Sequence, residues 1–128
     1  MLLLDTHAYV WLLSDLGQLT KGGKALIREN AGQLYISAVT PWEIALLTQR
    51  ERLKLPRPAE EYIATGSRQH GVQEIPVDGP VAMASVRLPP VHTDPFDRVL
   101  VATAIQYKMA ILSRDGMLSA YPGVTVRW

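Results

Sequence analysis

Leu34-Tyr35-Ile36-Ser37-Ala38-Val39-Thr40-Pro41-Trp42-Glu43 is an apolar run that ends in a helix-opening signal with a carboxylate inside it. The run Leu34–Val39 predicts a short buried strand, and Thr40-Pro41 opens a helix to about Arg52. The same unit recurs on both sides. Upstream, Leu2–Leu4 is a strand followed by Asp5 and a helix from Thr6 to about Leu13. A polar-faced helix is predicted over Lys21–Asn30. Downstream, Pro56 and Pro58 punctuate a linker before a helix near Ala59–Gln69, which Gly66 weakens on propensity. Val72–Val77 is a third strand, Gly79–Leu88 a short helix broken by Pro89-Pro90, and Asp94–Tyr107 a helix apolar on nearly every side. Ala110–Ser113 and Val124–Arg127 complete about five strands. Strands separated by helices make βαβ units, so the fold class is α/β with a mostly parallel sheet covered on both faces.

The chain has 128 residues, a length that suits one domain spanning 1–128. It carries 48% hydrophobic and 20% charged residues and no cysteine, which excludes disulfides, thiolate-bound zinc and a thiol nucleophile. The start lacks a basic segment and a long enough apolar run for a secretory signal, and no stretch reaches the ~18 apolar residues of a membrane span. A cytoplasmic protein with no membrane partner is the expectation. A net charge of +1 does not announce a nucleic-acid binder, so local charge carries more information than the total.

The local charges fall at strand ends. Asp5 follows the first strand, Glu43 sits in the first turn after the second, Asp97 opens the long helix, and Asp115 follows the fourth strand. In a doubly wound sheet the carboxyl ends of parallel strands share one edge, where ligands bind. Each acid also has a plain structural reading. Thr40-Pro41-Trp42-Glu43 has the spacing of a capping box, Asp94 is an N-cap with Asp97 at N3, and Asp115 precedes Gly116 as a further cap. What favours a site is the conjunction. Carboxylates about 5 Å apart repel by about 3 kcal/mol per pair at an effective dielectric of 20. A hard divalent cation, magnesium or manganese, removes that penalty, orients a phosphate and activates water.

Four ordered blocks carry a resemblance. Leu4-Asp5-Thr6-His7 with Trp11, Ser37 to Glu43, Asp94-Pro95-Phe96-Asp97-Arg98, and Leu112-Ser113-Arg114-Asp115 resemble the PIN-domain ribonucleases. More narrowly they resemble the VapC toxins of bacterial type II toxin–antitoxin pairs. The resemblance covers essentially the whole chain. It implies a three-layer α/β/α fold, a magnesium- or manganese-dependent endoribonuclease acting on RNA, a homodimer, and a VapB-like antitoxin whose basic side chain enters the acidic cleft. By position, Asp5, Glu43, Asp97 and Asp115 match the family's acidic quartet, with Asp5, Asp97 and Asp115 as metal ligands. Thr6 and Ser113 match small hydroxyl positions beside it.

Around the quartet, Asp94 has a sufficient capping role and a supporting one at the site as its alternative. Arg98 either meets the scissile phosphate as a bidentate donor or tethers Asp94. Arg114 reads as a solvated or rim charge. His7 matches the resembling block in the first turn after Asp5 with nothing to show proton transfer, His70 and His92 have no ligand-spaced partner, and all three read as structural or surface residues. Trp11 and Trp42 read as packing residues, and the basic run Arg50–Arg57 as a solvated face or a contact for RNA or antitoxin. A receiver-like signalling domain is the alternative from another class. It wants an acidic pair after the first strand and a lysine after the last, and neither is present. A haloacid-dehalogenase-type phosphatase wants aspartate where His7 stands. A degenerate, non-catalytic PIN domain sits poorly with four intact acids.

Overall fold

Alternating side chains on three-residue strands can serve two cores at once, and that is how this sheet is built. The computed structural model describes residues 1–128. Strand β1 (Leu2–Leu4) is followed by α1 (Thr6–Ser14) and α2 (Lys21–Glu29), with a 3-10 turn between them. Then come β2 (Leu34–Ser37), α3 (Val39–Gln49), α4 (Ala59–His70) and β3 (Val72–Ile75). The second half holds α5 (Gly79–Arg87), α6 (Pro95–Tyr107), β4 (Ala110–Leu112), a 3-10 turn over Gly116–Ala120, and β5 (Val126–Arg127). All five strands are parallel in the order β3-β2-β1-β4-β5.

Leu2, Leu4, Leu34, Ile36 and Leu112 point to one face, where Ala8, Tyr9, Leu12 and Ile44 of α1 and α3 cover them. Leu3 and Ile111 point to the other, against Leu100, Val101 and Ala104 of α6. The result is the expected three-layer α/β/α sandwich. Each such buried side chain is worth roughly 1.5–3 kcal/mol relative to exposure.

The strand order also settles the receiver-like alternative against. Receiver domains run 2-1-3-4-5, whereas here the chain builds outward from β1 to β3 and then returns to the far side as β4. That return makes β1 and β4 the topological switch point, and Asp5 and Asp115 follow these two strands.

Four local expectations change. Helix α3 starts at Val39, not at Pro41, because Ser37 Oγ accepts from Val39 N at 3.2 Å and Ala38 N donates to Ile75 O at 2.9 Å. The capping box at Thr40 is therefore not made, and Glu43 stands on the second helical turn. Trp42, a candidate for packing in the core or against a second subunit, is 60% exposed and so outside the core, edge-on to Phe96 with ring centroids 4.9 Å apart. Helix α6 is buried from Leu100 to Ala104, but Ile105 and Tyr107 of its last turn are exposed. Gly66 proves to be a contact rather than a weakness in α4. A Cβ there would lie 2.1 Å from Leu13 Cδ2, so only glycine lets α4 pack this close to α1. No helix is long and apolar enough to cross a membrane.

Candidate active site

The carboxyl edge of the sheet is also where α1, α3 and α6 begin, so backbone N–H groups and acids converge there. Asp5 N donates to Leu112 O at 3.1 Å, which pins the end of β1 to β4. The Asp5 side chain caps α1, with Oδ1 accepting from Ala8 N at 2.7 Å. Its Oδ2 accepts from Ser113 Oγ at 2.5 Å. Ser113 Oγ in turn accepts from Asp115 N at 3.0 Å, so one buried hydroxyl fixes both acids. Asp115 caps the 3-10 turn through Met117 N at 3.0 Å. Asp94 caps α6 through Phe96 N at 2.9 Å, and Asp97 lies in the first turn of that helix. Capping does not exclude a second role, because an ionised carboxylate has about four lone-pair directions.

Asp5, Glu43, Asp94, Asp97 and Asp115 all line one cleft of about 240 Å³, together with Thr6, His7 and Thr40. No lysine or arginine lines it. The charge density shows in the protonation of the acids. Asp97 is pushed from 3.8 to about 6, by burial first, then by the charges of Asp94, Glu43 and Asp115, with His92 opposing. Burial also raises Asp5 above the usual carboxylate range, partly offset by the hydrogen bonds from Ser113 and Ala8. Thr6 Oγ1 shares a buried hydrogen bond with Thr40 Oγ1 at 3.3 Å, which joins the first turns of α1 and α3 beside the cleft.

As they stand, no three acidic or imidazole side chains are gathered closely enough to grip an ion. Asp5, Asp94 and Asp115 are turned instead to the backbone N–H groups of Ala8, Phe96 and Met117. The donor set is nonetheless all hard oxygen with uncompensated negative charge, which fits magnesium or manganese and not a thiophilic metal.

Arg98 does not join the cleft. Its guanidinium donates to the carbonyls of Pro89 (2.9 Å), His92 (3.2 Å), Val86 (3.2 Å) and Leu88 (2.7 Å). It makes no bond to Asp94, because the carbonyls around the α5–α6 connection occupy its planar fork of donors. Arg114 lies over Trp11, 5.0 Å from the ring centroid, at the rim beside His7.

His92, given only a structural reading from the sequence, reaches Asp115. Its Nε2 is 2.8 Å from Asp115 Oδ2 and its Nδ1 3.0 Å from the Tyr121 hydroxyl. Sequence spacing gives no hint of this, since the partners are 23 and 29 residues away and meet only through the fold.

Comparison with known proteins agrees with this architecture. Ribonuclease VapC22 of Mycobacterium tuberculosis is 28% identical over 120 residues, covering 93% of this chain and 90% of that protein. Among solved structures, VapBC2 from Rickettsia felis bound to a promoter DNA fragment superposes with a TM-score of 0.73 at 11% identity, covering 98% of this chain and 96% of that one. DNA-bound VapBC from Salmonella typhimurium gives 0.68 at 14% identity with the same coverage. FitAcB from Neisseria gonorrhoeae gives 0.63 at 24%, again over 98% and 96%. These likenesses establish the fold. The PIN domain model matches residues 2–124, nearly the full length, and the chain belongs to the PIN-domain family.

Proposed function

We propose that this chain is a metal-dependent endoribonuclease of VapC type, the toxin of a toxin–antitoxin pair, which hydrolyses RNA phosphodiester bonds at the acidic cleft. The observation that carries this reading is five carboxylates and no lysine or arginine on one cleft at the switch point of a PIN sheet. The relative VapC22 is a ribonuclease by name, and the structural neighbours include VapBC complexes.

Asp5, Asp97 and Asp115 would hold the ion, with Glu43 on the same cleft. A bound divalent cation supplies charge neutralisation, a template for the phosphate and an activated water. The chain's own contribution is to fix the donors. Ser113 holds Asp5 and the Asp115 backbone, the Thr6–Thr40 pair sets α1 against α3, and Glu43 is left to orient the water. Asp94 stays the cap that starts α6 and adds negative charge beside Asp97. Such a site reads the backbone rather than the bases.

A VapB-like antitoxin is the proposed protein partner. An apolar groove between α3 and α4, lined by Pro41, Trp42, Ala45 and Ile63, adjoins the cleft along α3 and offers an amphipathic segment a place to lie. Exposed Met83 and Val86 on α5 are the candidate surface for a homodimer.

End-labelled single-stranded RNA incubated with the purified chain tests the reading. Cleavage is expected with manganese or magnesium, none with EDTA, and none with Asp97→Asn. Binding of RNA without cleavage under every metal condition would replace the enzyme with a binding module.

A further inference from the structure

The connection from α5 to α6 is a loop with two exposed prolines, and of its side chains Leu88 and Val91 pack against the core. Here it is fastened at both ends of one short stretch. Arg98 of α6 gathers three of its carbonyls, those of Leu88, Pro89 and His92, together with that of Val86 in the last turn of α5. Tyr121, fully buried beneath the 3-10 turn after Asp115, takes hold of His92 directly. The Tyr121 hydroxyl oxygen accepts from His92 N at 2.9 Å and lies 3.0 Å from His92 Nδ1, the two rings nearly parallel at 15°.

That pair of bonds has a consequence for the ring. With its oxygen accepting from the backbone N–H, the hydroxyl has its own proton to donate, and Nδ1 is the acceptor in reach. Donation to Nδ1 leaves that nitrogen bare, so a neutral ring carries its proton on Nε2. Nε2 faces Asp115 Oδ2 at 2.8 Å, on the carboxylate oxygen not used for capping Met117 N. The His92 side chain is 10% exposed and that of Asp115 40%, so the hydrogen bond lies at the wall of the cleft with its donor sheltered.

We infer that His92 is a positioning residue for Asp115: Tyr121 and Arg98 fix the imidazole with its Nε2 proton toward the cleft, and that proton sets the Asp115 carboxylate for ion and substrate. The inference rests on the metal-nuclease reading but concerns residues outside the acidic quartet. A histidine needed only to anchor the loop would use its backbone N–H to Tyr121 and the carbonyl that meets Arg98. The ring bond to Asp115 is additional, and it can be tested separately.

The test uses the full chain with His92→Ala, His92→Gln and Tyr121→Phe. Manganese affinity is measured by calorimetry, RNA cleavage by steady-state kinetics, and folding by thermal melts. Loss of an outer hydrogen bond of this kind lowers metal affinity or activity by about 10–100-fold. His92→Ala is expected to fall in that range with kcat reduced and KM for RNA unchanged. His92→Gln, whose amide N–H reaches Oδ2, is expected to recover most of the loss, and Tyr121→Phe to lie between. Wild-type affinity and kcat in His92→Ala would overturn the inference, as would equal losses in the alanine and glutamine variants. If His92→Ala does not fold, the glutamine and phenylalanine variants carry the comparison. Ring 15N spectra of the metal-free wild type give an arm independent of metal and activity. Protonated Nε2 with bare Nδ1 is expected, and the opposite tautomer would overturn the inference. Failure of the wild type itself to bind manganese and cut RNA would instead remove the nuclease reading, leaving the tautomer result to decide the hydrogen-bond assignment.

Discussion

Asp97→Asn removes the carboxylate whose protonation is most disturbed while keeping its shape. A rise from 3.8 to about 6 means that the folded state disfavours the ionised form by about 3 kcal/mol at 1.36 kcal/mol per pH unit. Asp97 is partly exposed, so solvent screening cuts this to about 1.5 kcal/mol. Its place in the first turn of α6 gives back about 0.5 kcal/mol through the helix dipole, which asparagine loses. The net expectation in metal-free buffer at pH 8 is a variant about 1 kcal/mol more stable than wild type. For a chain of this length that raises the melting temperature by about 4 °C. The direction with pH follows from the raised folded value. Below the unfolded value of 3.8 the acid is protonated in both states and the advantage vanishes. It grows as the unfolded chain ionises from about pH 4 and levels off above about 6, where the folded chain has ionised too. Melts of both proteins in EDTA from pH 4 to 8 measure it. A variant that melts lower than wild type at pH 8 would refute the reasoning and leave Asp97 as a helix-start residue only.

Magnesium or manganese is expected to raise the wild-type melting temperature, by the equivalent of about 2.7 kcal/mol at 100 times the dissociation constant. The gain should shrink in Asp5→Asn and disappear when Asp115→Asn is added, as thermal scans across millimolar metal would show. Arg98→Ala is expected to cost about 2–3 kcal/mol, because four carbonyls lose a charged donor. Arg98→Lys should recover less than half, since one ammonium cannot span that set; urea midpoints at constant m-value check both.

The layered fold is legible because its strands are short apolar runs set apart by helix signals, and every strand and helix of the sequence reading exists. The acidic cleft is legible for the same reason, as parallel strands put their following residues on one edge. What stays hidden depends on contacts across the sheet edge. Ser37 captures the start of α3 and so displaces Thr40, which turns to Thr6 instead. Arg98 follows Asp97 in the chain, yet a helix points neighbours in different directions, and the guanidinium turns to the α5–α6 loop. His92 acquires its partners only when the 3-10 turn brings Tyr121 and Asp115 beside it. Gly66 looks like a helix breaker until Leu13 is seen against it.

The central claim is that the quartet is a cation site. Crystals of the wild-type chain grown with manganese, with data collected at a wavelength where manganese scatters anomalously, address it directly. An anomalous peak is expected in the cleft, within bonding distance of carboxylate oxygens from Asp5, Asp97 and Asp115 and absent from crystals of Asp97→Asn. A cleft with no peak at manganese concentrations that support RNA cleavage, or a peak bound elsewhere on the chain, would contradict it.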